Sequence, residues 1–234
     1  MAEISTETVE FPSDGFTVQA FLAKPVTTPA GGLPAVMVAH EWWGLNDHIK
    51  DIARRIAQEG YAALAPDLYS RLGHKVTADP AEAASLMESL SSQAALRDLS
   101  AALQDLKQRS FVDPQRIGIM GFCMGGTFAL TQATHNSDLK AAVPFYGKVP
   151  PAESLARLLC PVLYHYGAQD GWVTKQEVEW LRQGLSQHGK PGEVVVYPNA
   201  GHAFFNDTRP DAYRKQDAAE AWRRTLHFLA EHLR

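Results

Sequence analysis

The sequence has few cysteines, little net charge and no long apolar run, and each shortage excludes a class of protein. Two cysteines in 234 residues cannot form a disulfide framework, and no CxxC or HExxH motif suggests a zinc site. The apolar runs fall far short of the roughly 20 residues of a membrane-spanning helix. The first residues have neither the basic nor the apolar segment of a signal peptide. Lys and Arg total 22 against 26 Asp and Glu, which argues against a general nucleic-acid-binding protein. We therefore expect a cytoplasmic protein with both thiols reduced and with neither nucleic acid nor a membrane as partner.

Short apolar runs alternate with amphipathic stretches along the chain. Near-continuous apolar runs predict buried strands at 35–39, 61–65, 116–120, 141–145, 161–166 and 193–197. Apolar residues at helical spacing predict helices at 47–59, 79–90, 94–109, 170–188 and 211–233. A hairpin is expected over 7–24, at one edge of the sheet. The alternation predicts an α/β fold with one open, mostly parallel sheet in a single domain over 1–234.

The sharpest motif is Gly121-Phe-Cys-Met-Gly-Gly126, which lies between a predicted strand and a predicted helix. This is the nucleophile-elbow pattern, with Cys123 where serine usually stands. The elbow strains its central residue, and glycines allow the strand and helix to approach closely. Backbone N–H groups at a helix N-terminus favour a thiolate. Cys123 is therefore the candidate nucleophile; the alternative is a buried cysteine in a turn whose glycines serve only the turn.

Two further polar residues follow predicted strands. Asp170 comes just after the strand at 161–166, and His202 follows the strand at 193–197. The carboxyl ends of parallel strands meet at the edge where α/β sheets bind ligands. The order Cys123, Asp170, His202 is that of an elbow-type triad, with His202 as base and Asp170 as its orienting acid. The alternatives are that Asp170 caps the following helix and that His202 is a structural loop residue.

These motifs resemble the dienelactone hydrolase family of the α/β-hydrolase fold, over essentially the whole chain. The resemblance implies a single-domain α/β-hydrolase fold, with a mostly parallel central sheet and helices on both faces. It implies a carboxymethylenebutenolidase-type hydrolase of the kind used in aromatic degradation. The residues that carry it are Gly121-Phe-Cys-Met-Gly-Gly126, His40-Glu-Trp-Trp-Gly-Leu45, Pro66-Asp-Leu-Tyr-Ser-Arg71, Tyr166-Gly-Ala-Gln-Asp170 and Gly201-His-Ala-Phe204.

Glu41 follows the strand predicted at 35–39, in the loop expected to supply an oxyanion-hole N–H. A carboxylate there opposes both an oxyanion and a thiolate, so Glu41 either turns outward to solvent or has a role in the mechanism. The resemblance implies that it holds the resting thiol of Cys123 until substrate displaces it. The resemblance also implies that the backbone N–H groups of Trp42 and Met124 form the oxyanion hole.

The residues expected to contact substrate depart in part from the family's pattern. Five aromatic side chains either line an apolar pocket or pack in the core: Trp43, Phe122, Tyr146, Trp172 and Phe204. The family's carboxylate-binding arginines are not at the matching positions, because Asn206 occupies one and no arginine lies between residues 72 and 96. Substitute cations are Arg71, Lys75, Lys148 and Arg209, each of which is otherwise a surface charge. A neutral lactone or small ester therefore competes with an anionic lactone.

The expected reaction is the opening of an enol lactone or small ester through a thioester at Cys123. One alternative is a carboxylesterase for neutral esters, and another is an α/β-hydrolase scaffold that binds without catalysis. Neither a metal nor an organic cofactor is implied. The expected partner is a small-molecule substrate, and a monomer is the default state.

Overall fold

The computed structural model describes residues 2–234; residue 1 of the predicted 1–234 domain lies outside the described residues. The strands are β1 (Ile4–Ser13), β2 (Phe16–Pro25), β3 (Leu33–Ala39), β4 (Ala62–Pro66), β5 (Val112–Phe122), β6 (Leu139–Phe145), β7 (Val162–Gly167) and β8 (Gly192–Tyr197). The helices are α1 (Asp47–Gln58), α2 (Pro80–Ser89), α3 (Ser92–Gln108), α4 (Met124–Ala133), α5 (Ala152–Leu155), α6 (Lys175–Gln187) and α7 (Lys215–Leu233). A 3₁₀ turn lies at Ser70–Leu72. None of the described helices is long and apolar enough to cross a membrane.

The strands are hydrogen-bonded in the order β1-β2-β4-β3-β5-β6-β7-β8. β4 pairs parallel with β3, and β7 pairs parallel with both β6 and β8, so the predicted α/β fold with a mostly parallel sheet is confirmed. The chain divides inside β5 into two compact units, one ending at Ile119 and the other beginning at Met120. A single domain over 1–234 stays a prediction.

The N-terminal hairpin is confirmed and is longer than predicted. β1 and β2 pair antiparallel, with Ser13 opposite Phe16 across a two-residue turn. Asp14 and Gly15 have φ of 48° and 71°, the positive values that a tight turn between twisted strands requires. β2 also pairs antiparallel with β4, a contact that the sequence did not predict.

The predicted strands and helices are present, with shifted ends. The largest shift is in α6, which begins at Lys175 rather than at Asp170. The reason is a capping box, in which the Thr174 side chain accepts from the Glu177 N–H and the Glu177 carboxylate accepts from the Thr174 N–H. α7 likewise begins at Lys215 rather than at 211, because turns occupy the residues before it.

In the second unit the parallel pairing of β7 with β8 sets the position of two loops. Every residue of β7 is buried. The register pairs Val162 with Gly192 and Gly167 with Tyr197, so the two strands begin and end level. The segments that follow Gly167 and Tyr197 therefore leave the sheet side by side.

In the first unit a partly buried ion pair joins the 3₁₀ turn to α3. The Arg71 guanidinium donates to both carboxylate oxygens of Asp98, over 2.8 and 3.1 Å. The Ser13 hydroxyl donates to the same carboxylate over 2.6 Å, and Arg71 also donates to the Ser13 carbonyl. The Asp98 side chain is 1% exposed and that of Arg71 is 23% exposed. This pairing makes Arg71 part of the scaffold.

We expect Asp98→Ala to destabilise the protein by about 2–4 kcal/mol, because it leaves a half-buried guanidinium and the Ser13 hydroxyl without their acceptor. Arg97→Ala is the matched control on the same helix, since it breaks only the exposed pair with Asp14. The control should change the free energy of unfolding by less than about 1 kcal/mol. Urea unfolding at pH 7 measures both, and equal losses would contradict the assigned role of Asp98.

Candidate active site

Cys123 occupies the turn between β5 and α4. Its φ of 54° and ψ of −118° are strained for a residue with a side chain. The Cys123 N–H donates to the Phe145 carbonyl, and its own carbonyl accepts from the Thr127 N–H, each over 3.0 Å. The residue is 6% exposed. The thiol therefore stands at the N-terminus of α4, on a backbone that is held from both sides.

The glycines around Cys123 are required by close backbone contacts. A Cβ on Gly121 would overlap the Gly125 carbonyl, and one on Gly126 would overlap the Phe145 carbonyl. Larger residues would push α4 away from β5 and β6 and relax the turn. The strained geometry of the predicted elbow therefore depends on these two glycines.

The two loops after β7 and β8 are tied together by their backbones. The Ala168 N–H donates to the Tyr197 carbonyl, and the Gln169 N–H donates to the Ala200 carbonyl, each over 2.9 Å. Gly167 faces the carbonyl of Gly201 so closely that a Cβ would stand 2.5 Å from it. The residues that follow, Asp170 and His202, are thereby brought together.

A hydrogen bond of 2.8 Å joins His202 Nδ1 to Asp170 Oδ2. The other carboxylate oxygen accepts from the N–H groups of Trp172 and Val173, over 2.7 and 2.9 Å. Because a carboxylate only accepts, Nδ1 of His202 carries the hydrogen and Nε2 is left as the basic nitrogen. The Asp170 side chain is fully buried and that of His202 is 27% exposed. The alternative that Asp170 caps α6 is wrong, because Thr174 is the cap.

Two aromatic rings flank the imidazole of His202. The rings of Tyr146 and Trp172 meet it edge-on, with centroid distances of 5.0 and 5.2 Å. Both are among the residues predicted to line a pocket. Their contacts restrict the rotation of the imidazole and so support the orientation that Asp170 sets.

The other predicted pocket residues of the second unit pack as core residues. Phe122 stacks on Phe145 and Phe205, and Phe204 packs between Tyr146 and Tyr197. Phe122 and Phe204 are both fully buried. These contacts match the core-packing alternative, and a role of either ring in substrate binding stays a prediction.

The candidate substitute cations of the second unit are already bound to acidic side chains. Arg209 donates to Asp211 over 2.8 Å. Lys148 pairs with Glu177 over 3.2 Å and also donates to the Trp172 carbonyl. The link between Lys148 and the loop of Asp170 was missed by the sequence reasoning, which considered Lys148 as a possible substrate contact or a surface charge.

Glu41 lies in the first unit, two residues after β3. It is 1% exposed, so the alternative that it turns outward to solvent is wrong. Beside it His40 is fully buried, donates from Nδ1 to the Glu41 carbonyl and accepts the Leu68 N–H at Nε2 over 3.0 Å. Burial lowers the pKa of His40, although its hydrogen bond to the Glu41 backbone and the nearby Asp67 carboxylate act in the opposite direction. The loop of Glu41 is therefore anchored by a neutral imidazole.

Trp42 and Trp43 belong to the same loop. The Trp42 carbonyl accepts a hydrogen bond from the Tyr69 hydroxyl over 3.0 Å. The ring of Trp42 meets the ring of Trp43 edge-on, with a centroid distance of 4.9 Å. Trp43 is 6% exposed, and its carbonyl accepts the Thr77 N–H. The roles predicted for Glu41, Trp42 and Trp43 stay predictions.

Among residues 2–234, no group of three or more His, Cys, Asp or Glu side chains could hold a metal ion.

Comparison with known proteins decides the family. The family model described as "Dienelactone hydrolase family" matches residues 18–233. The chain belongs to this family. This membership confirms the resemblance, makes the chain a hydrolase and removes the alternative of a scaffold that only binds.

Individual relatives of this chain match it over most of their own length. It is 39% identical to a "putative carboxymethylenebutenolidase" of Salmonella typhimurium, over 98% of this chain and 88% of the relative. It is 35% identical to a "probable 2-oxo-3-(5-oxofuran-2-ylidene)propanoate lactonase" of Bradyrhizobium, over 98% of this chain and 96% of the relative. The crystal structure of a "putative dienelactone hydrolase" from Klebsiella pneumoniae superposes with a TM-score of 0.91 at 36% identity, over 98% and 99% of the two chains.

In β7 this dienelactone hydrolase family member buries another histidine. His165 is fully buried, with Nδ1 at 2.9 Å from the Tyr197 hydroxyl and Nε2 at 3.1 Å from the Thr225 hydroxyl. Burial lowers the pKa of His165 to about 3. The folded protein therefore keeps a neutral imidazole here at pH values where the unfolded chain is protonated.

We expect the protein to lose stability as the pH falls from about 6.5 towards 3, because the unfolded chain takes up a proton at residue 165 that the folded protein does not. Replacement by His165→Gln removes this group, so the free energy of unfolding should depend less steeply on pH. The difference in slope should approach about 1.4 kcal/mol per pH unit between pH 5.5 and 4. Urea unfolding at several pH values measures it, with replacement of the exposed His135 by glutamine as control. Equal slopes for the wild type and the His165 variant would contradict the assignment.

Proposed function

We propose that this hydrolase opens a small lactone or ester through a thioester at Cys123, with His202 as general base and Asp170 as its orienting acid. The observation that carries the proposal is the 2.8 Å hydrogen bond between His202 and Asp170, in the same unit as a cysteine held in a strained elbow. This combination of an activated nucleophile, a base and an orienting acid is the general arrangement for acyl transfer.

Acylation consumes the lactone and forms the thioester. Nε2 of His202 takes the Cys123 proton while the sulfur bonds to the lactone carbonyl carbon, giving a tetrahedral oxyanion. Collapse of the oxyanion breaks the ring C–O bond, and the departing oxygen takes the proton from the imidazolium. Asp170 stays ionised throughout and stabilises the imidazolium.

Deacylation returns the thiol. Nε2 of His202 takes a proton from water as the water oxygen attacks the thioester carbon. The C–S bond then breaks, the sulfur recovers a proton from the imidazolium, and a carboxylic acid is released that ionises at neutral pH. The overall reaction adds one water to the lactone.

The family resemblance extends the proposal to three further residues. The backbone N–H groups of Met124 and Trp42 would stabilise the oxyanion, and Met124 is suited to this because it is the first residue of α4. Glu41 would restrain the resting thiol until substrate displaces its carboxylate. A resting thiol rather than a thiolate would also be less prone to oxidation.

The proposed substrate class is supported by the names of the relatives and by the cations of this chain. The name of the Bradyrhizobium relative describes a lactone that carries a propanoate carboxylate. Here Asn206 stands where the family resemblance implies an arginine, and its side-chain oxygen accepts from the Thr208 N–H and hydroxyl within its own turn. We propose a small enol lactone as substrate. The engagement of Arg71, Lys148 and Arg209 by carboxylates favours a neutral lactone or ester as the second candidate.

We expect Cys123→Ala to lower kcat/KM at least about a thousandfold for both dienelactone and a neutral aryl acetate, because the nucleophile of both reactions is removed. Cys160→Ala is the matched control, since burial raises the pKa of Cys160 to about 12 and keeps it an unreactive thiol. This variant should hydrolyse both esters as the wild type does.

A wild-type rate in the Cys123 variant would contradict the proposal. If turnover depends on Cys123, the ratio of kcat/KM for dienelactone to kcat/KM for the aryl acetate distinguishes the two substrate classes. A preference for dienelactone indicates a cation that binds its carboxylate, and a preference for the aryl acetate indicates a neutral substrate.

A further inference from the structure

The backbone of Lys148 is attached to the nucleophile elbow. Lys148 lies three residues beyond the end of β6, and its N–H donates to the Thr127 hydroxyl over 2.8 Å. Thr127 in turn donates its own N–H to the Cys123 carbonyl over 3.0 Å. The preceding residue, Gly147, lies so close to the first turn of α4 that a Cβ there would overlap the backbone of Gly126. The position of Lys148 is therefore fixed by the same turn that holds Cys123.

The side chain of Lys148 reaches the loop that carries Asp170. Its ammonium donates to the Trp172 carbonyl, pairs with Glu177 over 3.2 Å and lies 5.3 Å from the centroid of the Trp172 ring. Glu177 also accepts the N–H and the hydroxyl of Thr174, each over 2.8 Å. Burial acts to raise the pKa of Glu177, but its hydrogen bonds with Thr174 and Lys148 outweigh it and leave the pKa below its usual value. The ammonium is thus held by an ionised carboxylate, a carbonyl and an aromatic face.

Trp172 connects this contact to the acid and base. Its N–H donates to Asp170 over 2.7 Å, and its ring meets the imidazole of His202. Trp172 is therefore held at its N–H by Asp170 and at its carbonyl by Lys148. A shift of this residue would move a hydrogen-bond donor of the acid and a ring that supports the base.

We propose that Lys148 is a positioning residue, which fixes the Asp170 loop against the nucleophile elbow and so holds the Asp170–His202 pair in line with Cys123. The inference rests on the proposed function of these three residues. Lys148 acts through Trp172 and touches no reacting atom. The competing interpretation, a cation that binds a substrate carboxylate, would require the ammonium to exchange Glu177 for the substrate.

Lys148→Met tests the two interpretations, because methionine keeps most of the apolar stem and removes the ammonium. We expect kcat to fall about tenfold to a hundredfold with both dienelactone and the neutral aryl acetate, since misplacing the reacting groups by about 1 Å has a cost of this order. KM should change less than about twofold. Lys148→Arg, which retains donors for the Trp172 carbonyl, should recover most of kcat.

Lys190→Met is the matched control. Lys190 also donates its ammonium to a loop carbonyl, that of Leu158 over 3.0 Å, but it precedes β8 and lies at the opposite end of that strand from the loop of His202. The control should keep the wild-type kcat. A raised KM for dienelactone alone in Lys148→Met, with kcat unchanged, would overturn the inference in favour of a substrate cation.

A second readout does not depend on turnover. The Nδ1 proton of His202, shared with a buried carboxylate, should give a low-field proton resonance that is missing from His202→Gln. We expect this resonance to be broadened or lost in Lys148→Met and retained in Lys190→Met. If the turnover of the wild type does not depend on Cys123, the proposed function is refuted. If Lys148→Met keeps the wild-type kcat and an unchanged resonance, only the role of Lys148 is refuted.

Glu177→Gln provides a second variant if Lys148→Met does not fold. It weakens one of the two polar contacts of the Lys148 ammonium and leaves an amide oxygen that can still accept the Thr174 N–H. We expect a smaller fall in kcat, about twofold to fivefold, again without a matching change in KM. Wild-type kcat together with a wild-type resonance in this variant would overturn the inference.

Discussion

The site depends on the parallel pairing of β7 and β8, which end level at Gly167 and Tyr197. Because the strands end together, the two loops that follow can exchange backbone hydrogen bonds, and these bring Asp170 to His202. The carboxylate then satisfies two backbone N–H groups and the imidazole at once. The hydrogen bond between Asp170 and His202 therefore depends on the register in which β7 pairs with β8.

The strain at Cys123 is maintained by the packing around it. The elbow holds a non-glycine residue at positive φ, and the close backbone contacts of Gly121 and Gly126 leave no room for it to relax. Lys148 joins this rigid turn to the loop of Asp170. In the mechanism that we propose, the fold orients Cys123, His202 and Asp170, these three side chains carry out the chemistry, and hydrolysis proceeds through a thioester.

The parts of the site that lie on local motifs could be predicted from the sequence. The glycines around Cys123 identify a strand-to-helix turn, and Asp170 and His202 lie in the loops that follow apolar strands. Contacts between distant segments could not be predicted, because surface-type residues such as Lys148 and Glu177 carry no pattern that names their partner. The pairing of Arg71 with Asp98 and that of β2 with β4 were not predicted either, because each joins segments that are distant in the sequence. The start of α6 was different, since Thr174 and Glu177 have the spacing of a capping box and could have corrected the predicted boundary.

The most direct test of the central claim is to identify the acylated residue. The wild-type enzyme would be mixed with a neutral aryl acetate, quenched in acid during turnover, digested and analysed by mass spectrometry. The account predicts one acetyl group on the peptide that contains Cys123, removable by a thiol nucleophile as a thioester is. Acetyl on another residue that turns over at the catalytic rate, or rapid hydrolysis in Cys123→Ala with no acyl-enzyme, would contradict it.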